Sequence, residues 1–582
     1  MAYSSLLMTA HEALKTYFGY DDFRPLQADI VQSVLEGHDT LALMPTGGGK
    51  SLCFQVPTMA MNGLCLVITP LIALMKDQVE NLRQRDIRAA AIYTGMSYEQ
   101  QKTALDNCMW GPYHFLYVSP ERLESEEFRE RLSRLPICLI AVDEAHCISQ
   151  WGYDFRPSYL KIAEIREVIR RETKGERREV PILALTATAT PDVVDDIQER
   201  LAFREKNVLR KSFARPNISY VVRESNKKAD EIVHILNRVP GSAIVYVRNR
   251  QRTQEIAAYL NEKGLSADFY HAGLSSKERT EKQEAWKIGE KAMRREGERQ
   301  GTRVIVATNA FGMGIDKPDV RVVIHHDLPD TIEAYFQEAG RAGRDDKQAF
   351  AVLLYDPSDK TKARKRIADN YPDEETLHNV YHKTCNYLGV GADSGQGATF
   401  FIDMFDLCKK MHLPVLSTYS ALHLLSQMGY CSFDEEQEIQ PRIRLRISRR
   451  ELEEYRLNEA QDELLEHLMR EYTGIFTDLQ YVHKLDDKHQ ELVALAQRRI
   501  IDYVPRTKAN VLRLTVNRQA QIRIPEEFYK ERKNHYANKL KAMVEYAENK
   551  HYCRSQVLLS YFGENDAPTC GTCDICRTNS KH

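Results

Sequence analysis

Thr40-Leu41-Ala42-Leu43-Met44-Pro45-Thr46-Gly47-Gly48-Gly49-Lys50-Ser51 decides the fold of this 582-residue chain. A strand-sized apolar run passes into a glycine-rich turn, and the turn opens a helical stretch. Glycines let the backbone N–H groups fold into a nest around phosphate, and the helix N-terminus adds a favourable dipole. The turn therefore makes Thr46, Gly47, Gly48, Gly49, Lys50 and Ser51 candidates for binding a nucleotide. Lys50 would reach the terminal phosphates, and the Ser51 hydroxyl would hold Mg²⁺. The common phosphate-loop pattern begins with glycine where this chain has Met44. A glycine-rich turn alone is often only structural, but its place between a strand and a helix favours phosphate.

Working outward, the first 190 residues alternate short apolar runs with longer amphipathic stretches. The runs are Thr40 to Met44, Leu64 to Thr69, His114 to Val118, Cys138 to Val142 and Ile182 to Leu185. Strand-sized runs spaced by helix-sized segments imply a parallel sheet with helices on both faces. After a linker near Lys211 the pattern restarts with Ala243 to Val247, Asp268 to Tyr270, Arg303 to Ala307, Val320 to Ile324 and Phe350 to Leu354. The fold class is thus α/β, with two successive parallel-sheet lobes over 1–208 and 209–360. The charged stretch Lys287 to Gln300 reads as a solvated helical insertion in the second lobe.

Val142-Asp143-Glu144-Ala145-His146 closes one run of the first lobe. Ligands bind at the carboxyl ends of strands in such sheets, which sets both carboxylates beside the phosphate loop. Asp143 would hold Mg²⁺, and Glu144 would orient the attacking water. A surface acidic pair capping the next helix is the plainer alternative, and it fits the end of a buried strand poorly. In the second lobe, Gln337-Glu338-Ala339-Gly340-Arg341-Ala342-Gly343-Arg344 offers two guanidinium groups, always ionised and shaped to fork onto phosphoryl oxygens. If the lobes face each other, Gln337, Arg341 and Arg344 complete a catalytic set with Lys50, Asp143 and Glu144. Arginine pairs on their own usually mark a solvated face.

Composition sets wider bounds. Charged residues make up 28% of the chain and hydrophobic ones 43%, as in ordinary globular proteins. The net charge of −2 means that any nucleic-acid site must concentrate its cations locally. Met1 to Ala10 carries no basic stretch ahead of an apolar run, and no apolar run is long enough to span a bilayer. The cytoplasm is therefore the expected compartment, with nucleoid association in a bacterium and no membrane partner. Eight of the 12 cysteines are scattered through apolar or helical stretches and read as buried free thiols.

Taken together, these segments resemble superfamily 2 helicases, and specifically the RecQ family, which implies that both lobes are RecA-like. Phe18-Gly19-Tyr20, with Arg24-Pro25 and Gln27, is similar to the family's adenine-reading segment. There the resemblance implies that Tyr20 stacks on the base while Arg24 and Gln27 serve the nucleotide. Thr69-Pro70-Leu71 and Ser119-Pro120-Glu121-Arg122-Leu123 resemble strand-gripping segments. Thr186-Ala187-Thr188 resembles the one that couples hydrolysis to strand separation, and Ala307 to Pro318 resembles another conserved family stretch. Most specific is Asp143 to Pro157, whose aromatic loop marks RecQ proteins. Trp151 and Phe155 offer stacking faces for bases and Arg156 a cation for phosphate; burial of the two aromatics in the lobe is the alternative. The family implies ATP as the fuel, single-stranded and duplex DNA as partners, 3′ to 5′ polarity and roles in recombination and repair. Single-strand-binding or recombination proteins are conceivable further partners. A translocase without net unwinding is the alternative function.

Near the C-terminus, Cys553-x16-Cys570-x2-Cys573-x2-Cys576 supplies four thiolates, enough for a closed tetrahedral Zn²⁺ site. Its flanking residues also resemble the RecQ zinc segment, here assigned to 546–582, with no further helical domain expected after it. Typical RecQ proteins place this segment directly after the second lobe. Here a mainly helical, winged-helix-like region, 361–545, intervenes. Leu424 to Tyr430 and Gln497 to Tyr503 each read as a helix running into a short strand. Arg498, Arg499, Arg506, Lys508, Arg513 and Arg518 form either a duplex-binding face or an ordinary solvated surface.

Overall fold

The computed structural model describes residues 8–45, 47–93, 96, 98–149, 156–169, 171–173, 176–178, 180–289, 301–311, 317–439, 441–452, 455–472, 474–477, 480–482, 488–504 and 507–580. The chain divides into two compact units, one formed by 1–363 with 535–582 and the other by 364–534.

The first unit contains both lobes. In lobe 1 the strands are β1 (Thr40–Leu43), β2 (Leu64–Ile68), β3 (Ala89–Ile92), β4 (Phe115–Val118) and β5 (Ile137–Val142). A short pair follows, β6 (Arg171–Thr173) with β7 (Glu176–Arg178), then β8 (Ile182–Thr186) and β9 (Val208–Arg210). Seven of these form one sheet in the order β3-β4-β2-β5-β8-β1-β9. All its pairings are parallel. Its central strands are buried along their whole length, which is why they read as continuous Val/Ile/Leu runs instead of alternating ones. β3, β9 and the first strand of the next lobe are the ones that the run pattern passes over. Ala-Ala-Ala-Ile in β3 carries too little apolar bulk to stand out.

Lobe 2 repeats the design with β10 (Ile218–Glu224), β11 (Ser242–Tyr246), β12 (Ala267–Tyr270), β13 (Val304–Ala307), β14 (Val320–His325) and β15 (Ala349–Tyr355). Their order is β10-β15-β14-β11-β13-β12, again parallel throughout. The charged stretch 290–300 lies outside the described residues; the helix before it ends at Ile288.

The second unit begins within the helix Ser358–Asn370 and goes on through the helix Glu374–Tyr387, β16 (Thr399–Ile402), the helices Met404–Met411 and Val415–Gln427, and β17 (Cys431–Ile439). The chain goes on through β18 (Arg442–Leu445), β19 (Gln480–Tyr481), β20 (Ile501–Val504) and β21 (Thr507–Leu514). β16, β21 and β17 form one antiparallel sheet in that order. Helix, strand, two helices and a two-stranded hairpin, with the first strand added beside the last, is the order of a winged helix. β17 and β21 pair from Cys431–Leu514 to Ile439–Thr507, so they are the two sides of the wing. Between them, where a short turn would close a wing, lies a second module with its own sheet, β19-β18-β20. That module has its own core of Ile443, Leu465, Leu468, Leu492, Leu495 and Ile500. The helix Val415–Gln427 runs into β17 and the helix His489–Gln497 runs into β20, one in each module.

Candidate functional site: an interlobe nucleotide cleft and a cysteine cluster

Sheet order builds the first half of the cleft. β5, β8 and β1 are adjacent and parallel. Their carboxyl ends therefore carry Asp143-Glu144, Thr186-Ala187-Thr188 and the phosphate loop side by side. Gly47 and Gly49 hold left-handed backbone at φ 82° and 78°, which a side chain would strain. A Cβ at Gly49 would also fall 2.4 Å from Gln27 Nε2, and one at Gly48 would meet Pro45 O at 3.0 Å. Lys50 and Ser51 follow and lead into the helix Leu52–Met61. The Ser51 hydroxyl accepts from Gln78 Nε2 at 3.2 Å. Thr46 lies outside the described residues.

The N-terminal segment is tied to this loop. Gln27 is buried and donates from Nε2 to Gly49 O at 3.0 Å and Gly48 O at 3.3 Å. Its Oε1 accepts from the Arg24 backbone N–H at 2.9 Å. Arg24 Nη1 donates to Gly47 O, also at 2.9 Å. Tyr20 keeps 46% of its surface open to solvent.

Lys50 Nζ stands 3.9 Å from Glu144 Oε1. Asp143 follows the last residue of β5, with its N–H donated to Ile68 O at 2.9 Å and its carbonyl accepting from Tyr159 OH at 3.0 Å. Glu144 is in left-handed backbone, φ 48°, which costs a residue with a Cβ roughly 1–2 kcal/mol. His146 Nδ1 lies 3.4 Å from Glu144 Oε2 and 2.9 Å from Thr186 Oγ1. It thus links the acidic pair to the Thr186-Ala187-Thr188 segment. Burial, followed by the charge of Glu144, pushes the Asp143 carboxyl up to about 6. Burial works against Glu144 as well, but Lys50, then His146 and Arg341, outweigh it and hold that carboxyl below its usual range. Two crowded carboxylates next to a phosphate loop and a serine hydroxyl suit a bound Mg²⁺, whose charge would ionise the pair fully.

The second lobe supplies the opposite wall. Ala334, Gln337 and Glu338 of the helix Ile332–Ala339, with Arg341 just past its end, line one cavity of about 420 Å³. Arg156 of the first lobe lines it too. Arg341 faces Glu144 closely enough to lower its carboxyl, and the Arg344 stem comes within 3.5 Å of where a Cβ on Gly47 would sit. The structure therefore brings Lys50, Asp143, Glu144, Arg341 and Arg344 around one cleft, with Gln337 on its wall. Arg156 Nη1 donates to Pro70 O at 3.4 Å, joining the loop after the acidic pair to Thr69-Pro70-Leu71. Trp151 and Phe155 lie outside the described residues, as does part of the Ala307 to Pro318 stretch.

Sequence reasoning assigned no role to several residues here. His325 is buried, stacked on Tyr246 at 5.4 Å, with Nε2 2.9 Å from Glu338 Oε2. Tyr246 OH donates to Phe311 O at 2.9 Å. His146 stood in a quoted motif with no function attached, and Gln78 carried no signal at all.

Far along the chain, Cys553, Cys570, Cys573 and Cys576 bring their sulfurs within 4.8 Å of one another. Sγ of Cys553 is 3.5 Å from that of Cys570 and 4.0 Å from that of Cys573. A tetrahedron with Zn–S of about 2.3 Å has S···S edges of about 3.8 Å, so the spacing fits. Backbone N–H groups of Cys570, Cys573 and Cys576 point at the sulfurs of Cys553, Cys570 and Cys573 at 3.3–3.4 Å, as thiolates require. The segment packs on the lobes: Phe562 meets Phe213 and Phe336, and Asp574 accepts from the Val222 N–H at 3.1 Å while pairing with Arg554.

Family models match in chain order: DEAD/DEAH box helicase over 24–197, helicase conserved C-terminal domain over 227–346, and RecQ zinc-binding over 513–577. The ATP-dependent DNA helicase RecQ of Haemophilus influenzae is 42% identical over 62% of this chain and 55% of its own length. The probable ATP-dependent DNA helicase RecS of Bacillus subtilis is 40% identical over 60% of this chain and 67% of its own. This chain belongs to the RecQ family of helicases. It spans about half the length of the first relatives it matches, at 55% and 53%. The zinc-segment match begins in β21, before the end of the second unit. Among the described residues, no helix is long and apolar enough to cross a membrane.

Proposed function

We propose that this chain is an ATP-driven motor that moves on single-stranded DNA, 3′ to 5′, and unwinds duplex DNA in recombination and repair. The observation that carries the proposal is the convergence of Lys50 and Arg341, from different lobes, on Glu144. Phosphoryl transfer asks the protein mainly for positioning and charge stabilisation. In this reading Lys50 binds the terminal phosphates and Glu144 orients the attacking water. Arg341 and Arg344 stabilise charge on the transferring group, so hydrolysis requires the lobes to close. Gln337 senses the same group from the cleft wall. Tyr20, Arg24 and Gln27 hold the adenine end, and the phosphate-loop residues Thr46 to Ser51 cradle the chain of phosphates. Ser51 and Asp143 would hold Mg²⁺, which would supply positive charge against the phosphates. Zn²⁺ on Cys553, Cys570, Cys573 and Cys576 would be structural, since four protein ligands leave no open position. Trp151, Phe155 and Arg156 contact the DNA strand.

The test is strand separation on short duplexes with a 3′ or a 5′ single-stranded tail, with Glu144→Gln as control. Unwinding of the 3′-tailed substrate alone, lost in the variant, is the expected result. DNA-stimulated hydrolysis with no unwinding of either substrate would overturn the helicase reading. The module set into the wing favours a second reading, a translocase without net unwinding, because it stands where a short strand-splitting turn would be.

A further inference from the structure

We infer that Lys539 is a positioning residue for the arginines of the cleft, acting through Glu333. The inference rests on the nucleotide reading of that cleft. The helix Ile332–Ala339 has two working faces. Ala334, Gln337 and Glu338 line the cavity, while Glu333, one turn before Gln337, and Phe336 do not. Phe336 packs on Phe562 at 5.1 Å between ring centres. Lys539 Nζ, from the long helix Glu526–Glu548, reaches Glu333 Oε1 at 2.7 Å. Their side chains are 7% and 3% exposed, so this ion pair is almost entirely out of water.

Such a pair is a poor source of net stability but a strict geometric constraint, because either charge left alone in that interior is costly. Glu333 occupies the first turn of the helix, and Gly340 to Arg344 follow its last. Fixing the first turn therefore fixes the direction in which the chain leaves toward Arg341 and Arg344. Tyr561 stands on the same carboxylate: burial, and then Glu333, raises its hydroxyl. Tyr335 of the helix packs on Tyr546 at 5.3 Å, further along the helix of Lys539. None of these groups lines the cavity.

The experiment is steady-state ATP hydrolysis by the full chain carrying Lys539→Met, with Lys539→Arg beside it. An error of about 1 Å in a distant support lowers turnover by up to roughly 100-fold. The expected result is a kcat lower by roughly 10- to 100-fold with KM for ATP within threefold of the parent, and recovery of most of the loss in Lys539→Arg. An unchanged kcat would overturn the inference. So would a loss shared between kcat and KM that arginine does not recover, since that marks general damage. Should Lys539→Met fail to fold, Glu333→Gln carries the same test with the same split. Lys50→Ala separates the two claims: if it still hydrolyses ATP, the nucleotide reading has failed, whereas Lys50-dependent turnover that ignores Lys539 rejects only the positioning role.

Discussion

Lys50 and Arg341 are separated by most of both lobes yet converge on Glu144, whereas Cys553, Cys570, Cys573 and Cys576 close on one another within a short C-terminal stretch. The cysteine cluster is local. Its turns aim their own N–H groups at its own sulfurs, and neighbouring sequence alone gives the ligand set. The cleft is not local: it exists because parallel sheets put unrelated loops at the same strand ends, and because a second lobe presents a helix to them. A local site is expected to fail as a folding unit when a ligand is lost. A distributed site is expected to fail chemically while its scaffold stands.

Lys50→Ala should show the largest effect, on the distributed side of that contrast. Removing the cation at the terminal phosphates should lower ATP turnover by roughly 1,000-fold or more, with the melting temperature unchanged within a few degrees. Parallel loss of both would make Lys50 a folding residue and dissolve the contrast. Next comes Cys573→Ser. Metal analysis should find one zinc per chain in the parent and a deficit in the variant. The segment after about residue 550 should become sensitive to protease, because binding energy at such sites is folding energy.

Asp39 sharpens the comparison from inside lobe 1. It is buried just before β1, where it accepts from Arg166 at 2.9 Å, from Arg204 at 3.0 Å and from the Ile182 N–H at 3.0 Å. Asp39→Asn strands the buried Arg166 charge and should cost roughly 3–5 kcal/mol in denaturant unfolding, while kcat at permissive temperature stays within threefold. Burial opposes the charge on Asp39, but the Arg204 bonds, the Ile182 N–H and Arg166 together hold its carboxyl below the usual range. Its contribution is therefore complete above the unfolded carboxyl value, near 4, and fades as pH falls through the lower folded value. Acid unfolding of Asp39→Asn should accordingly be less steep than that of the parent. Arg444→Ala should show the smallest effect. Its pair with Asp502, at 2.6 Å, is substantially exposed, so the change should stay within about 1 kcal/mol.

The same contrast explains what could be read in the sequence. Both parallel sheets were legible because buried central strands leave continuous apolar runs, and the cysteine spacing needed no tertiary information. β3, β9 and β10 escaped: the first is alanine-rich, the second has only three residues, none of them buried, and the third, Ile218–Glu224, ends in polar and half-exposed residues. In the inserted unit, two helix-to-strand junctions were visible, but the nesting of one module inside the wing of another was not. β17 and β21 pair across more than sixty residues of intervening chain, and no local pattern records such a partner. Of the basic residues there, read as either a duplex-binding face or a solvated surface, Arg498 precedes β20 in the inner module and Arg513 lies in β21 of the outer one. Arg518 donates to Val390 O at 2.7 Å, so its guanidinium already serves the fold. Lys539 and Glu333 were unreadable for the same reason as β21: a buried ion pair looks like two solvated charges until the fold joins them.

In the proposed function one lobe binds the nucleotide and the other completes its chemistry. Arg341→Ala tests it most directly, with nucleotide affinity and single-turnover hydrolysis measured on the same protein. Affinity should stay within a few-fold of the parent while hydrolysis falls by roughly 100-fold or more. Hydrolysis at the parental rate would contradict it, and would leave the second lobe as a clamp without a part in the reaction.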